Sequence, residues 1–132
     1  MAYYALLDKD NIVTKVITGK DENEVDYNLE EVYENMFSQV CKRTSYNTRG
    51  GKHYTNTELS KDQKKSFRKN FAAVGYTYNE EIDGFVPPKH FNSWKLDKKT
   101  GLWVPPKKMP KNKFCEWDEK NQKWINCKNI NK

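Results

Sequence analysis

The residues best suited to acid–base chemistry are two histidines, His53 and His90. An imidazole acts as a general base, or activates a nucleophile, when a hydroxyl, thiol or carboxylate partner stands beside it in a recognisable motif. Neither histidine lies in such a motif, and both stand among polar residues, as ordinary surface or loop histidines do. We therefore expect a protein that is not an enzyme, with no catalytic residues and no cofactor.

Metal binding and disulfide formation depend on three cysteines, Cys41, Cys115 and Cys127. Structural zinc sites use short Cys-x-x-Cys spacings, and none of the three has a partner at that spacing. Their odd number and irregular spacing predict free thiols made in a reducing compartment, and no metal site. Cys115 and Cys127 bracket one predicted hairpin, so a disulfide formed late, in an oxidising environment, is the alternative.

The four tryptophans could bind carbohydrate, because an exposed indole ring can lie against the face of a sugar. They stand on predicted hairpins spaced about 20 residues apart. The same rings could instead form the core, since 14% of the residues are aromatic in a chain that is only 36% hydrophobic. They form the aromatic part of a candidate docking surface: Trp94, Trp103, Trp117 and Trp124.

A basic segment lies between residues 41 and 75. Lys61, Lys65 and Arg68 would share one face of a predicted helix, and such a face could contact phosphates in a salt-dependent way. A solvated helix shows the same pattern, and an acidic protein surface would serve equally as partner, so nucleic acid is the least favoured partner. The basic part of the candidate docking surface comprises Arg43, Arg49, Lys61, Lys65 and Arg68.

Three related segments in the last third of the chain would carry the tryptophans. They begin at Tyr78, Leu96 and Trp117, at offsets of 18 and 21 residues. In each, Asp or Asn follows a large apolar residue, and an aromatic residue stands seven positions after that apolar residue. An Asx turn with a returning aromatic predicts a β-hairpin, and the proline-rich segments after the first two predict stiff connectors. Since a lone hairpin is marginally stable in water, these units must pack on one another, on the rest of the chain or on a partner.

The preceding part of the chain predicts a hairpin and two helices. Strand formers at 3–7 and 12–17 flank a polar turn and predict an N-terminal β-hairpin. Apolar residues at helical spacing between 29 and 40 predict an amphipathic helix. The segment 61–74 begins with a capping-box pattern and continues with an apolar stripe, which predicts a second helix.

These elements predict an α+β fold that is mainly β, with an N-terminal hairpin, two short amphipathic helices and three C-terminal aromatic β-hairpin repeats joined by proline-rich connectors. One core is expected for this length, so residues 1–132 are predicted to form a single domain. Within it, the first hairpin and the helices lie in 1–75, and the hairpin repeats lie in 76–132.

Charge is divided unevenly along the chain. Residues 1–40 carry a net charge of −6, residues 41–75 carry +7 and residues 76–132 carry +5, within a total of +6. This division favours binding to an acidic surface or self-association of unlike ends. No apolar run approaches the roughly 20 residues that cross a bilayer, and no secretory signal is recognisable, so we expect a soluble protein with no membrane partner.

Several word-like stretches are distinctive. They lie at 41–54, 67–78, 85–89 and 93–96, with the opening 1–8, and are spread over the first three quarters of the chain. They resemble a family of small proteins encoded by marine bacteriophages of the cyanophage and pelagiphage kind, whose function is largely uncharacterised. The resemblance implies a phage origin and a place in the virion, with no catalytic residues to transfer.

The function expected from these observations is that of a structural protein of a phage particle, made in the host bacterial cytoplasm and located in the virion. Its partners would be other virion proteins of the capsid, neck or tail, and decoration of the capsid is the favoured role. Two alternatives stay open: a carbohydrate-binding accessory of the tail or neck, and a nucleic-acid-binding protein. A homo-oligomer is compatible with all three.

Overall fold

The chain folds into short strands and one α-helix within residues 2–130, the part that this computed structural model describes. Strand accounts for 40% of the chain and helix for 12%, so the prediction of a mainly β fold is confirmed. None of the helices in the described part is long and apolar enough to span a membrane.

Contacts between Cα atoms divide the chain into two compact units, which we call unit 1 and unit 2. Unit 1 runs to Pro88 and includes Lys98–Leu102. Unit 2 comprises Lys89–Asp97 and the chain from Trp103 onward. The single domain expected from the chain length stays a prediction.

The centre of unit 1 is a three-stranded antiparallel sheet. It contains β1 (Ala2–Leu7), β2 (Val13–Gly19) and β3 (Val40–Thr44), in the order β2-β1-β3. The turn between β1 and β2 is fixed by Asp8, whose Oδ1 accepts hydrogen bonds from the backbone N–H of Asp10 at 2.8 Å and of Ile12 at 3.1 Å. The polar turn of the predicted N-terminal hairpin thus satisfies its own backbone donors.

The central strand β1 is buried on both faces. Alternate residues enter different apolar clusters: Ala5 and Leu7 pack with Phe85, whereas Tyr4 and Leu6 pack with Leu29. Since successive side chains of a strand point to opposite faces, β1 holds together two thin layers of core. This position explains why its sequence is almost uniformly apolar.

One α-helix, α1 (Leu29–Phe37), follows a short 3-10 turn at Glu22–Glu24. Asn28 caps its start, because its side chain accepts a hydrogen bond from the Glu31 N–H at 3.2 Å. Ser38 ends it in the left-handed conformation, with φ 56°. Leu29 is its one buried residue, so much of the predicted apolar stripe of α1 faces solvent.

The prediction of a second helix over about 61–74 is wrong. Three short strands come before this segment: β4 (Thr48–Arg49), β5 (Lys52–Thr55) and β6 (Glu58–Leu59). The segment itself contains a single 3-10 turn at Gln63–Lys65 and otherwise irregular backbone.

Hydrogen bonds to distant groups explain the failure of that helix. The Gln63 amide accepts from the His53 N–H at 3.0 Å and donates to the His53 carbonyl at 2.9 Å. The Gln63 side chain is therefore hydrogen-bonded to the backbone of β5 and does not close a capping box. Arg68 and Lys69 then adopt left-handed backbone with φ of 55° and 67°, which an α-helix excludes. Tertiary contacts therefore override the local pattern.

Three two-stranded sheets follow in the last third of the described chain. The first pairs β7 (Thr77–Asn79) with β8 (Gly84–Val86), the second β9 (Lys95–Asp97) with β10 (Leu102–Val104), and the third β11 (Lys113–Asp118) with β12 (Lys123–Asn129). Tyr78 stands directly opposite Phe85, and Trp117 directly opposite Trp124. In the first turn, Asn79 accepts from the Glu81 N–H at 3.0 Å.

A buried amide, Asn70, joins separate loops of unit 1. Its Nδ2 donates to the carbonyls of Phe85 at 2.9 Å, Thr100 at 3.1 Å and Gly101 at 3.3 Å, and its Oδ1 accepts from the Gly50 N–H at 2.9 Å. Three of those groups lie on turn backbone, and the fourth, the Phe85 carbonyl, belongs to β8. Asn70 therefore satisfies backbone hydrogen-bonding groups that a sheet ladder would satisfy elsewhere.

Candidate docking site

Three of the four candidate tryptophans come together in unit 2. The ring centroids of Trp117 and Trp124 are 5.1 Å apart, and Trp94 lies 6.0 Å from the first and 6.2 Å from the second, all in edge-to-face geometry. Phe91 extends the group, 5.3 Å from Trp94. We call these four residues the tryptophan cluster, and since aliphatic residues are few in unit 2, it is that unit's apolar centre.

The polar edges of these indoles are partly satisfied within unit 2. Trp117 Nε1 donates to Glu119 at 2.8 Å, and Trp124 Nε1 donates to the Lys107 carbonyl at 2.7 Å. Glu119 also accepts from Ser93, and the hydrogen bonds from Ser93 and Trp117 lower the pKa of its carboxyl. The Trp94 Nε1 is buried and has no hydrogen-bond partner among the described residues.

The fourth candidate, Trp103, is placed differently. It stands outside the tryptophan cluster, and the Lys89 ammonium lies 5.1 Å from its ring centroid, in cation–π geometry. All four tryptophans are half-buried.

Two of the candidate basic residues belong to an internal ion-pair network in unit 1. Arg68 lies 2.6 Å from Glu30 and 3.1 Å from Asp83, and it donates to the Arg43 carbonyl at 2.9 Å. Arg43 lies 3.4 Å from Asp21. Because their charges are matched by carboxylates of the same unit, these arginines hold α1 and β3 to the loop before β7.

This network shifts the pKa values of its members. Burial acts to lower the pKa of Arg68, but the hydrogen bonds and charges of Glu30 and Asp83 outweigh it and raise the pKa. The hydrogen bond that Tyr78 donates to Asp83, followed by the charge of Arg68, lowers the pKa of that carboxyl. Burial, and then the same hydrogen bond, raise the pKa of Tyr78 from 10.0 to about 12. Arg68 and Asp83 are thus held in their charged forms at neutral pH, and Tyr78 in its neutral form.

The remaining basic candidates, Arg49, Lys61 and Lys65, are exposed. Lys61 and Lys65 line a shallow groove of about 420 Å³ beside β6. The expectation that they share a helix face with Arg68 is wrong, because no helix forms there and the Arg68 side chain is only 18% exposed. Lys61, Lys65 and Arg49 remain available to an acidic partner.

An open concavity of about 790 Å³ lies beside the start of α1 in unit 1. Its lining includes both network arginines, but also four carboxylates, so its charge is acidic rather than basic. The four carboxylates are those of Glu22, Asp26, Glu30 and Asp83.

His53 and two of the three cysteines have local partners. His53 Nδ1 lies 2.8 Å from the Ser60 hydroxyl, which is in turn 2.6 Å from that of Thr55, so this pair fixes the turn between β5 and β6. Cys115 and Cys127 form a disulfide, so the expectation of free thiols is wrong for these two and the alternative is correct, whereas Cys41 is a buried free thiol. Within residues 2–130 no group of three or more potential metal ligands is found.

The structural roles of Glu30, Arg68 and Asn70 in unit 1 could not be predicted from their sequence pattern. Glu30 and Arg68 are 38 residues apart, and Asn70 bonds to groups 15 to 31 residues away along the chain. No spacing rule connects such positions, and a charged or amide residue within a polar stretch is ordinary in composition. Their partners can be identified only from the folded structure.

Comparison with known proteins gives no relative. The chain matches no protein-family model, no curated protein and no solved structure. The class that the structure defines is therefore architectural: a mainly β chain of several small antiparallel sheets with one helix.

Proposed function

We propose that this protein is a structural, non-enzymatic component of a bacteriophage particle, belonging to the small marine-phage family that its sequence resembles. It resides in the virion, attached to capsid, neck or tail proteins, with capsid decoration as the favoured role. The observation that carries the proposal is the architecture of residues 95–129: two two-stranded sheets, β9–β10 and β11–β12, with no third strand among the described residues. A two-stranded sheet gains stability when it packs against another surface.

The three hairpins are, in this proposal, copies of one sequence repeat. Their supporting features are the Asx residue at the turn and the cross-strand aromatic pairs Tyr78–Phe85 and Trp117–Trp124. The tryptophans serve the docking surface mainly by holding the hairpins in place. Direct contact with an acidic neighbour falls to the exposed cations, of which Arg49, Lys61 and Lys65 are the sequence-derived members.

The experiment is a search for the protein in purified particles of the phage that encodes it. Quantitative mass spectrometry should find it at a fixed copy number after density-gradient purification, and a particle map should show it on the outer surface of the head. The matched control is a nonstructural protein of the same phage, which should be lost during purification. Absence of this chain from particles that retain their known coat proteins would contradict the proposal.

A second candidate function, carbohydrate binding, rests on Trp103. Its ring lies beside the Lys89 ammonium, and an aromatic face with a neighbouring cation can bind a sugar ring and its hydroxyls. Trp103→Ala should then abolish retention on a glycan array while leaving the circular dichroism spectrum unchanged. Phe114→Ala, which removes an exposed aromatic ring of the same unit, is the control and should leave retention intact.

A further inference from the structure

The exposed apolar stripe of α1 is an unpartnered surface. Val32 and Phe37 are 37% and 38% exposed, Met36 is 65% exposed, and Val40, at the start of β3, is 40% exposed. Val32 and Met36 are four residues apart, so they are neighbours on the helix. We call these four residues the α1 patch; exposed apolar residues grouped on one short segment mark a candidate interaction site.

Acidic residues with no ion pair flank the α1 patch. Of the acids in and before α1, Asp21 and Glu30 are paired with arginines. The others form no salt bridge with any described residue, and two of them, Glu31 and Glu34, lie on the helix itself. The occupant of this surface must therefore be apolar and basic at once.

The far end of the β11–β12 hairpin has that chemistry. Phe114 is 68% exposed and Ile130 is 59% exposed. Lys128 stands directly opposite Phe114, and the Ile130 N–H bonds to the Asn112 carbonyl, so the cross-strand pairs place Phe114, Lys128 and Ile130 on one face. With Lys111 just before the strand, we call this set the basic hairpin end.

The α1 patch and the basic hairpin end are complementary in charge, and both expose apolar residues. Residues 1–40 carry −6. The described part of unit 2 contains nine lysines against four acids. A second copy of this chain thus presents the complementary surface in both respects, and no foreign partner is needed to supply it.

The geometry points to a head-to-tail contact in which the α1 patch of one copy docks on the basic hairpin end of a second copy. The two surfaces are different, so a pair of copies joined by one such contact keeps one free surface of each kind. Further copies can add to those surfaces, or two copies can exchange both contacts and form a closed pair. The inference is independent of where the protein is located.

The test is sedimentation velocity of the full chain at low salt, over a roughly hundredfold range of concentration. We expect the weight-average sedimentation coefficient to rise with concentration. Glu31→Lys with Glu34→Lys should weaken association by about tenfold or more, and Lys111→Glu with Lys128→Glu should do the same, because each places like charges across the contact. An equimolar mixture of the two doubly substituted proteins should regain wild-type association, because copies that alternate again join opposite charges.

Glu58→Lys and Lys9→Glu are matched controls, since both residues are exposed and lie outside the two surfaces. Each should leave association unchanged, and thermal melts should confirm that every variant is folded. A wild-type chain that stays monomeric throughout overturns the inference. So do reversed variants that associate as strongly as wild type, and a mixture that shows no recovery.

Discussion

Arg68 is an internal residue of unit 1, although its position in a basic stretch is typical of a surface cation. Its side chain is 18% exposed and that of its partner Glu30 is 21% exposed, so water screens the pair only partly. Arg68→Ala would leave Glu30 without its cation, and we expect it to lower the free energy of unfolding by about 2 kcal/mol in urea denaturation. Arg49→Ala, at an exposed position, should change it by less than about 0.5 kcal/mol.

The same substitution tests whether the network acts as a unit. In the double variant Arg68→Ala with Glu30→Gln, the loss should be smaller than the sum of the single losses, because the unpaired charge is gone. Equal effects of Arg68→Ala and Arg49→Ala would mean that the ion pair adds nothing to stability.

Asn70 is the second residue whose chemistry is specific. Asp at this position has the same shape but lacks the two N–H donors and brings a negative charge to three carbonyl oxygens. We expect Asn70→Asp to lower the free energy of unfolding by about 3 kcal/mol, measured by urea denaturation. Asn56→Asp, in an exposed turn that suits either residue, should be close to neutral; equal losses at the two sites would contradict the bridging role.

At the scale of elements, the disulfide between Cys115 and Cys127 decides how well the last hairpin is held. The two cysteines are 12 residues apart, and closing a loop of that size stabilises a fold by about 3 kcal/mol in the chain-entropy description. Reduction, or Cys115→Ser with Cys127→Ser, should therefore raise hydrogen–deuterium exchange of the β11 and β12 amides by about a hundredfold. Cys41→Ala should leave that exchange unchanged, whereas equal protection with and without reductant would show that the bond is dispensable.

Sequence reasoning succeeded for elements whose determinants are local. The polar turn at Asp8 and the Asx turn at Asn79 lie within a few residues of the strands that they join, so spacing predicts them. It failed for residues 61–74, where a glutamine amide extends a strand edge and two consecutive residues take left-handed backbone. Those outcomes depend on groups elsewhere in the chain, which a local pattern does not contain.

The candidate site divides along the same line. Aromatic spacing indicated which tryptophans lie on hairpins, and Trp117 and Trp124 indeed stand opposite each other. It could not indicate that Trp94 would join them and Trp103 would not, because that depends on packing between hairpins. The arginines were identified by charge, but charge alone does not distinguish a residue bound to a distant carboxylate from one that faces solvent.

For the whole molecule, ionisable groups buried in the neutral form set an alkaline limit of stability. Burial, and then the charges of Glu30 and Glu34, raise the pKa of Cys41 from 9.0 to about 12, and Tyr78 rises from 10.0 to about 12. A folded-state pKa above the unfolded value means that this stability is complete below about pH 9 and is lost as pH rises toward 12. Urea denaturation across pH 7 to 11 should show the decline beginning near pH 9.

Cys41→Ala separates the contributions to that limit. Without the thiol, the decline should begin about one pH unit higher, where the tyrosines start to ionise in the unfolded chain. The variant is expected to be less stable at neutral pH, so the onset of the decline is compared rather than its absolute level. An onset that does not move would show that the Cys41 thiolate is not what limits the fold.

The division into two units has an optical consequence. All eight tyrosines precede Pro88 and belong to unit 1, whereas all four tryptophans belong to unit 2. Fluorescence excited at the red edge of the protein absorption band comes from tryptophan, and therefore from unit 2. The near-ultraviolet signal of the tyrosine phenols comes from unit 1. The chain carries a separate natural chromophore for each half, so the melting of each can be followed without adding a dye.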